Sequence, residues 1–202
     1  KNEEIPYPIR MQRLLNKKRI TDYDAGLMFG LMLGDGHIQW KNKECSLYFT
    51  GTEEEIYKIK TLFDKYAFSG SIYRGKAAGT RNTKDEYING LHYKLSAPAA
   101  RFLLALGAPF GKKTDQEIRL PSWLVNGHPS AQLGFLQGLF STDGFLTSTK
   151  KQIYIRLAQN TTQQTSFLVE VKQMLEQFKI FSNIYKKELD TRLDHSPVTQ
   201  YM

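Results

Sequence analysis

The chain holds a single cysteine, Cys45, among 202 residues. One thiol excludes an internal disulfide framework and a multi-cysteine zinc site, and leaves Cys45 as a small strand residue. A long hydrophobic run is also missing. The longest apolar stretch, Ala25 to Leu33, is about half of what a bilayer-spanning helix needs. No signal-peptide pattern is visible, so a soluble, intracellular protein is expected, its compartment open. Low-complexity tracts are absent. The four histidines, His37, His92, His128 and His195, show no metal-ligand spacing. Neither a glycine-rich phosphate loop nor a nucleophile–histidine constellation is present, which argues against a small-molecule enzyme.

Positive charge, by contrast, is abundant. Lys and Arg number 28 against 20 Asp and Glu, for a net charge of +8. Basic residues recur at Arg10, Arg13, Lys17, Lys18 and Arg19, at Arg74, Lys76, Arg81 and Lys84, and at Lys150, Lys151, Arg156, Lys186 and Lys187. This excess suits a polyanionic partner such as nucleic acid. On charge alone, an ordinary basic surface explains it equally well. A hydrophobic content of 41% is ordinary for a globular chain of one large domain or two small ones.

The chain repeats itself. "DAGLMFGLMLGDGHI" (24–38) and "SAQLGFLQGLFSTDGFL" (130–146) align at an offset of 108 residues. Gly26 then falls on Gly134, Gly30 on Gly138, Gly34 on Thr142, Asp35 on Asp143 and Gly36 on Gly144. Downstream, 46–74 and 153–187 share the order strand, polar turn, amphipathic helix, strand. The helical stripes are Ile56, Ile59, Leu62 and Phe63 in one copy and Phe167, Val171, Met174, Leu175 and Phe178 in the other. Helices are expected near 23–34, 53–67, 97–106, 131–142 and 164–178. Strands are expected near 37–42, 45–50, 70–75, 91–96, 145–149, 152–158 and 182–187. The domain reading is a basic extension (1–20), a first half (21–106), a Gly- and Pro-punctuated connection (107–129) and a second half (130–202).

Small residues at i, i+4 and i+8 share one helical face. Glycine costs about 1 kcal/mol relative to alanine inside a helix. Five glycines in two helices therefore point to a compensating gain, the close approach of two backbones. If the helices pair roughly parallel, Asp35 and Asp143 meet at two negative helix ends. Like charges there are unfavourable unless a divalent cation offsets them, and Mg²⁺ accepts one or two carboxylates together with substrate phosphates.

At these residues the sequence resembles the LAGLIDADG homing endonucleases in their single-chain, two-motif form. "FGLMLGDG" and "FLQGLFSTDG" resemble the two motif copies, and the likeness spans roughly 20–190. It implies an α+β fold of two αββαββα half-domains related by a pseudo-two-fold axis, with curved antiparallel sheets forming a saddle over double-stranded DNA. It implies a monomer that makes a double-strand break by metal-dependent hydrolysis in a long asymmetric site. Asp35 and Asp143 would bind the metal, with the carbonyls of Gly34 and Thr142 as further ligands. The metal would be Mg²⁺ or Mn²⁺, with Ca²⁺ filling the site without supporting cleavage. A basic or polar catalytic group is also implied, for which Lys112, Lys113 and Gln159 are the candidates.

The strands suit that geometry. Leu47 and Phe49 oppose Ser46, Tyr48 and Thr50; Leu91, Tyr93 and Leu95 oppose His92, Lys94 and Ser96; Ile153, Ile155 and Leu157 oppose Gln152, Tyr154 and Arg156. The candidate DNA contacts are Gln39, Lys41, Ser46, Tyr48, Arg74, Lys76, Arg81, His92 and Lys94 in the first half. In the second they are Thr147, Lys150, Gln152, Tyr154, Arg156 and Lys186. His37 is a further polar residue on the DNA side. The second half departs from the pattern by its shortness: its last strand is just begun at "VTQYM". "LSAPAARFLLALGAPFGKKTDQEIRLPSWL" (95–124) is intein-like, yet Lys1 and Met202 are not splice-junction residues. The alternative function is a non-cleaving relative, an RNA maturase or a DNA-binding regulator. Both acids being present favours the nuclease.

Overall fold

The computed structural model describes residues 19–41, 44–81, 87–113, 116–148, 153–157, 165–189 and 198–201. Helix α1 (Asp22–Gly34) starts where the Thr21 hydroxyl accepts the Asp24 backbone N–H at 3.1 Å. Strands β1 (His37–Lys41) and β2 (Glu44–Gly51) follow. Helix α2 (Glu53–Asp64) is opened by a capping box of Thr52 and Glu55. Strands β3 (Gly70–Arg81) and β4 (Tyr87–Leu95) and helix α3 (Ala97–Ala105) complete the first set. The connection contains a short helix α4 (Ser122–Val125). Helix α5 (Pro129–Thr142) begins with proline at its first position, where the missing N–H costs nothing. It leads into β5 (Gly144–Ser148), β6 (Ile153–Leu157), α6 (Thr165–Gln177), β7 (Lys186–Leu189) and β8 (Val198–Tyr201).

Helices α1 and α5 pack against each other as the glycine spacing requires. A Cβ on Gly26 would lie 2.0 Å from the Ala131 carbonyl oxygen, and one on Gly30 would lie 2.2 Å from that of Phe135. The partner glycines reciprocate: Gly134 faces the Tyr23 oxygen at 2.0 Å and Gly138 that of Leu27 at 2.5 Å. The backbones touch, so alanine's extra methyl has no room. Phe29 fixes the pair laterally, 5.6 Å from the Trp123 ring and 6.1 Å from that of Phe135. Trp123 donates its indole N–H to the Leu106 carbonyl at 2.7 Å, tying α4 to the end of α3.

The first sheet is antiparallel, in the order β1-β2-β4-β3. Its apolar face carries Ile38, Leu47, Phe49, Tyr93 and Leu95, all at most 1% exposed. Phe63 of α2, Phe68 and Phe102 of α3 continue this layer as a chain of ring contacts. At the far end of α1, buried Asp24 accepts hydrogen bonds from Lys65 at 2.6 Å and from the Tyr66 hydroxyl. Burial pushes the Asp24 carboxyl up, but these two hydrogen bonds, the Lys65 charge and Thr21 outweigh it and hold the group below its ordinary value.

The second half repeats the first only in part. The pairs Ile38–Leu47 and Gln39–Ser46 recur, at the same offset of 108, as Leu146–Ile155 and Thr147–Tyr154. Among the described residues, however, β5–β6 and β7–β8 are separate two-stranded sheets rather than one four-stranded sheet. Cover is missing too. Ile155, Leu146 and Ile153 are 68%, 69% and 71% exposed, whereas their register equivalents Leu47, Ile38 and Cys45 are at most 1% exposed. Of the expected core triplet Ile153, Ile155 and Leu157, only Leu157 is buried. The reason is visible in the first half: α3 packs across β2, and α3 has no counterpart among the described residues after β8. The expected strand at 182–187 forms later, at Lys186–Leu189.

Candidate functional site

Two helix ends build the centre of the site. Asp35 follows α1 and donates its backbone N–H to Leu31 at 3.1 Å. Asp143 follows α5 and donates to Leu139 at 2.9 Å. The two residues share one backbone conformation, φ −93°, ψ −6° and φ −89°, ψ −9°. Gly34 is glycine because Thr142 fills its side-chain space: a Cβ there would fall 1.8 Å from Thr142 Oγ1. Thr142 in turn donates that hydroxyl to its own helix, at 3.0 Å to Leu139 and 3.1 Å to Gly138.

Asp35 remains open to solvent at its edge, yet its carboxyl is held above the ordinary range. Loss of surrounding water is the main cause. The Asp143 charge adds to it and Lys113 opposes it, while Glu55 pushes in the same direction as Asp143. Two carboxylates that feel each other at two negative helix ends are costly in isolation.

Lys113 answers part of that cost. Its ammonium donates to the carbonyls of Met32 at 3.1 Å and Leu33 at 2.6 Å, and also to that of Gly34. It thus caps the last turn of α1. Burial pushes the Lys113 amine down to about 8, while Asp143 and Asp35 pull it back up. The charge of Lys113 thus acts on both acids from the end of α1. Lys112 is exposed and presents its carbonyl to the Gln116 amide at 3.0 Å. The Gly34 carbonyl, expected as a metal ligand, is engaged by Lys113. Among the described residues no three His, Cys, Asp or Glu side chains cluster as a metal site of their own.

The polar face of the first sheet begins beside Asp35. His37 pairs with Tyr48, Tyr48 with Lys94, and Lys94 with Ser71. Burial, with the Lys113 charge adding to it, lowers the His37 imidazole. The Lys94 ammonium sits 5.8 Å from the centre of the Tyr48 ring. Gln39, half-buried, pairs with Ser46. Two expected contacts lie apart from the others. Ser46 has the right parity but is 5% exposed, so its hydroxyl is closed in. Arg74 pairs with Leu91, which places it on the apolar-face parity, and its guanidinium lies 3.7 Å from Glu53 of α2. In the second half Thr147 pairs with Tyr154 on the polar parity, and the Arg156 guanidinium lies 5.6 Å from the Tyr154 ring centre. Lys150, Gln152 and Gln159 lie outside the described residues, as do the side chains of Lys41, Lys76, Arg81 and Lys186. Sequence reasoning missed Tyr73 and Glu55 and left Thr50 out of the contact set; alternation along 70–75 was the signal that could have found Tyr73.

A family profile described as LAGLIDADG-like domain matches residues 130–200. The chain belongs to the LAGLIDADG family. Among curated relatives, a tRNA-splicing ligase RtcB of Methanocaldococcus jannaschii is 34% identical over 188 residues, 83% of this chain and 19% of that protein. A replication factor C small subunit of the same organism is 29% identical over 189 residues, 85% of this chain and 10% of that protein. The chain thus spans less than a fifth of the length of these relatives. Among solved structures, the homing endonuclease I-WcaI bound to its DNA recognition sequence matches with a TM-score of 0.51 at 15% identity, over 96% of this chain and 82% of that one. I-DmoI in complex with DNA and Mn matches with 0.50 at 14% identity, over 89% of each chain. This LAGLIDADG protein therefore shares their α+β fold, with its two motif helices back to back.

Proposed function

We propose that this LAGLIDADG chain is a sequence-specific homing endonuclease that makes a double-strand break in a long asymmetric DNA site, acting as a monomer with pseudo-two-fold symmetry. The observation that carries this reading is the pair Asp35 and Asp143, equivalent in backbone conformation and each at the end of one of two touching helices. One acid per half suits one scissile phosphate per strand. The residues fit a divalent cation: the Asp35 carboxyl, held up by burial and by the Asp143 charge, gains from one, as do carboxylates at negative helix ends in general. Asp35 and Asp143 would hold Mg²⁺ or Mn²⁺, which when bound supplies activation of water and stabilisation of the leaving oxygen. Lys113, anchored on the last carbonyls of α1, adds a positive charge that acts on both acids. The polar sheet faces, with the net charge of +8, bind the duplex.

The chain's setting is read from its relatives. An RtcB ligase, a replication factor C subunit and an RNA polymerase subunit have unrelated names, yet each carries a match to 82–85% of this chain that makes up only 10–19% of its own length. A segment that recurs inside unrelated proteins behaves as a transferable insert, which supports an intein-borne endonuclease over a free-standing one.

Cleavage of a randomised duplex library, with Mg²⁺ and with EDTA, tests the function. Metal-dependent cuts at one long asymmetric site are expected. Asp35→Asn is expected to keep DNA binding and to lose at least about a hundredfold in cleavage, since several kcal/mol of charge stabilisation goes with the ligand. Normal cleavage by that variant overturns the assignment. Binding without cuts, in the presence of both acids, establishes the non-cleaving binder instead.

A further inference from the structure

One row on the polar face of the first sheet is built differently from its neighbours. Thr50 of β2, His92 of β4 and Tyr73 of β3 are direct register partners on three adjacent strands. Thr50 Oγ1 and His92 Nδ1 are 2.8 Å apart, a hydrogen bond in either tautomer. The Tyr73 ring stacks on the imidazole, with centroids 5.2 Å apart and planes inclined by 23°. Gly75, two residues along β3 on the same face, closes the third side: a Cβ there would come within 2.8 Å of His92 Cδ2 and 2.9 Å of Nε2. The imidazole is therefore held by a hydrogen bond, a ring stack and a backbone that lacks a side chain. Tyr73, stacked on this support, is 45% exposed.

Such construction serves discrimination better than general affinity. A lysine finds phosphates through a flexible stem and tolerates many placements. A tyrosine has two side-chain torsions, loses little entropy on binding, and presents an apolar ring with one hydroxyl in a defined place. Contacts that specify bases need that definition, and it comes from a supporting layer that locks the rotamer. Resting on the endonuclease reading above, we propose that Tyr73 is a specificity-determining base contact in the half-site under the first sheet, and that His92, fixed by Thr50 and Gly75, is its positioning residue.

The test begins with the site that the wild-type protein selects from a randomised duplex pool. Every single-base variant of that site is then measured for binding and cleavage with wild type, Tyr73→Ala and His92→Ala. The expected result is a loss of preference of about tenfold at one short run of adjacent base pairs. The run is the same for both variants, and the ranking elsewhere is kept. Gly75→Ala, which displaces the imidazole and leaves the tyrosine in place, is expected to blur the same run. Uniform weakening on all sequences would put Tyr73 on a phosphate and overturn the proposal. So would an unchanged profile, or different positions for the two alanine variants. If wild type selects no site, the endonuclease reading fails and this proposal with it; if it selects one and the profile survives Tyr73→Ala, this proposal alone fails.

Discussion

At the scale of single residues, repetition made the two acids conspicuous. An Asp-Gly pair is ordinary turn chemistry, but Asp35 and Asp143 recur at one offset behind two glycine-spaced helices, and the structure gives them matching backbones and a shared field. The basic partner was not legible in the same way. Lys112 and Lys113 are neighbours in an irregular segment, where no periodicity says which one turns inward; three carbonyls at the end of α1 settle it for Lys113. Ser46 and Arg74 show the reverse limit. Residue type suggested DNA contact, while burial closes Ser46 in and strand parity sets Arg74 beside Glu53 of α2. One core residue invites its own measurement. Among the described residues the buried Tyr93 hydroxyl has no hydrogen-bond partner, and burial, with the Asp64 charge, pushes its ionisation up to about 12. An unsatisfied buried hydroxyl costs about 1–3 kcal/mol. Tyr93→Phe is accordingly expected to leave the melting temperature unchanged or raise it; a clear drop would show that the hydroxyl has a partner.

At the scale of elements, the helix pair sets two effects against each other. Helix propensity says that Gly30→Ala should stabilise α1 by about 1 kcal/mol. Packing says that the new methyl meets the Phe135 carbonyl oxygen at 2.2 Å, and overpacking costs about 1–3 kcal/mol. Because the obstacle is backbone rather than a movable side chain, packing wins. A lower melting temperature is expected, together with weaker cleavage as the two acids are levered apart. A stabilised variant would show that the helices are not in backbone contact. The start of α1 carries a pH signature of its own. Asp24 has a lowered carboxyl, so its contribution is complete above the unfolded value, about 4, and is lost as pH falls through the lowered folded value. The melting gap between wild type and Asp24→Asn is therefore expected to be widest near neutrality and to close in acid. A gap independent of pH would mean that Lys65 and Tyr66 do not depend on the carboxylate's charge.

For the whole molecule, the net charge of +8 predicts strongly salt-dependent DNA binding. Raising salt from about 50 to about 200 mM is expected to weaken binding to the selected site at least about a hundredfold, read from equilibrium titrations at several ionic strengths. A flat response would show that the basic residues lie away from the phosphates. The two halves also differ in completeness. The first has a closed apolar layer under a polar face; the second leaves Leu146, Ile153 and Ile155 exposed in the same register.

The sequence by itself determined the duplication, the helix pairing and the two acids, because these depend on spacing along the chain: i, i+4 and i+8 share a helical face whatever surrounds the helix. It also determined which residues alternate on each strand, since the pleat has a period of two. Tertiary structure alone decided what covers each face. Ile155 and Leu47 are equivalent in pattern and register, yet one is 68% exposed and the other 0%, because α3 packs over β2 and no described helix packs over β6 in the same way. It decided equally that Lys113 turns onto the last carbonyls of α1, and that Tyr73 stands on His92. Those are contacts between segments distant along the chain, and no local spacing encodes them.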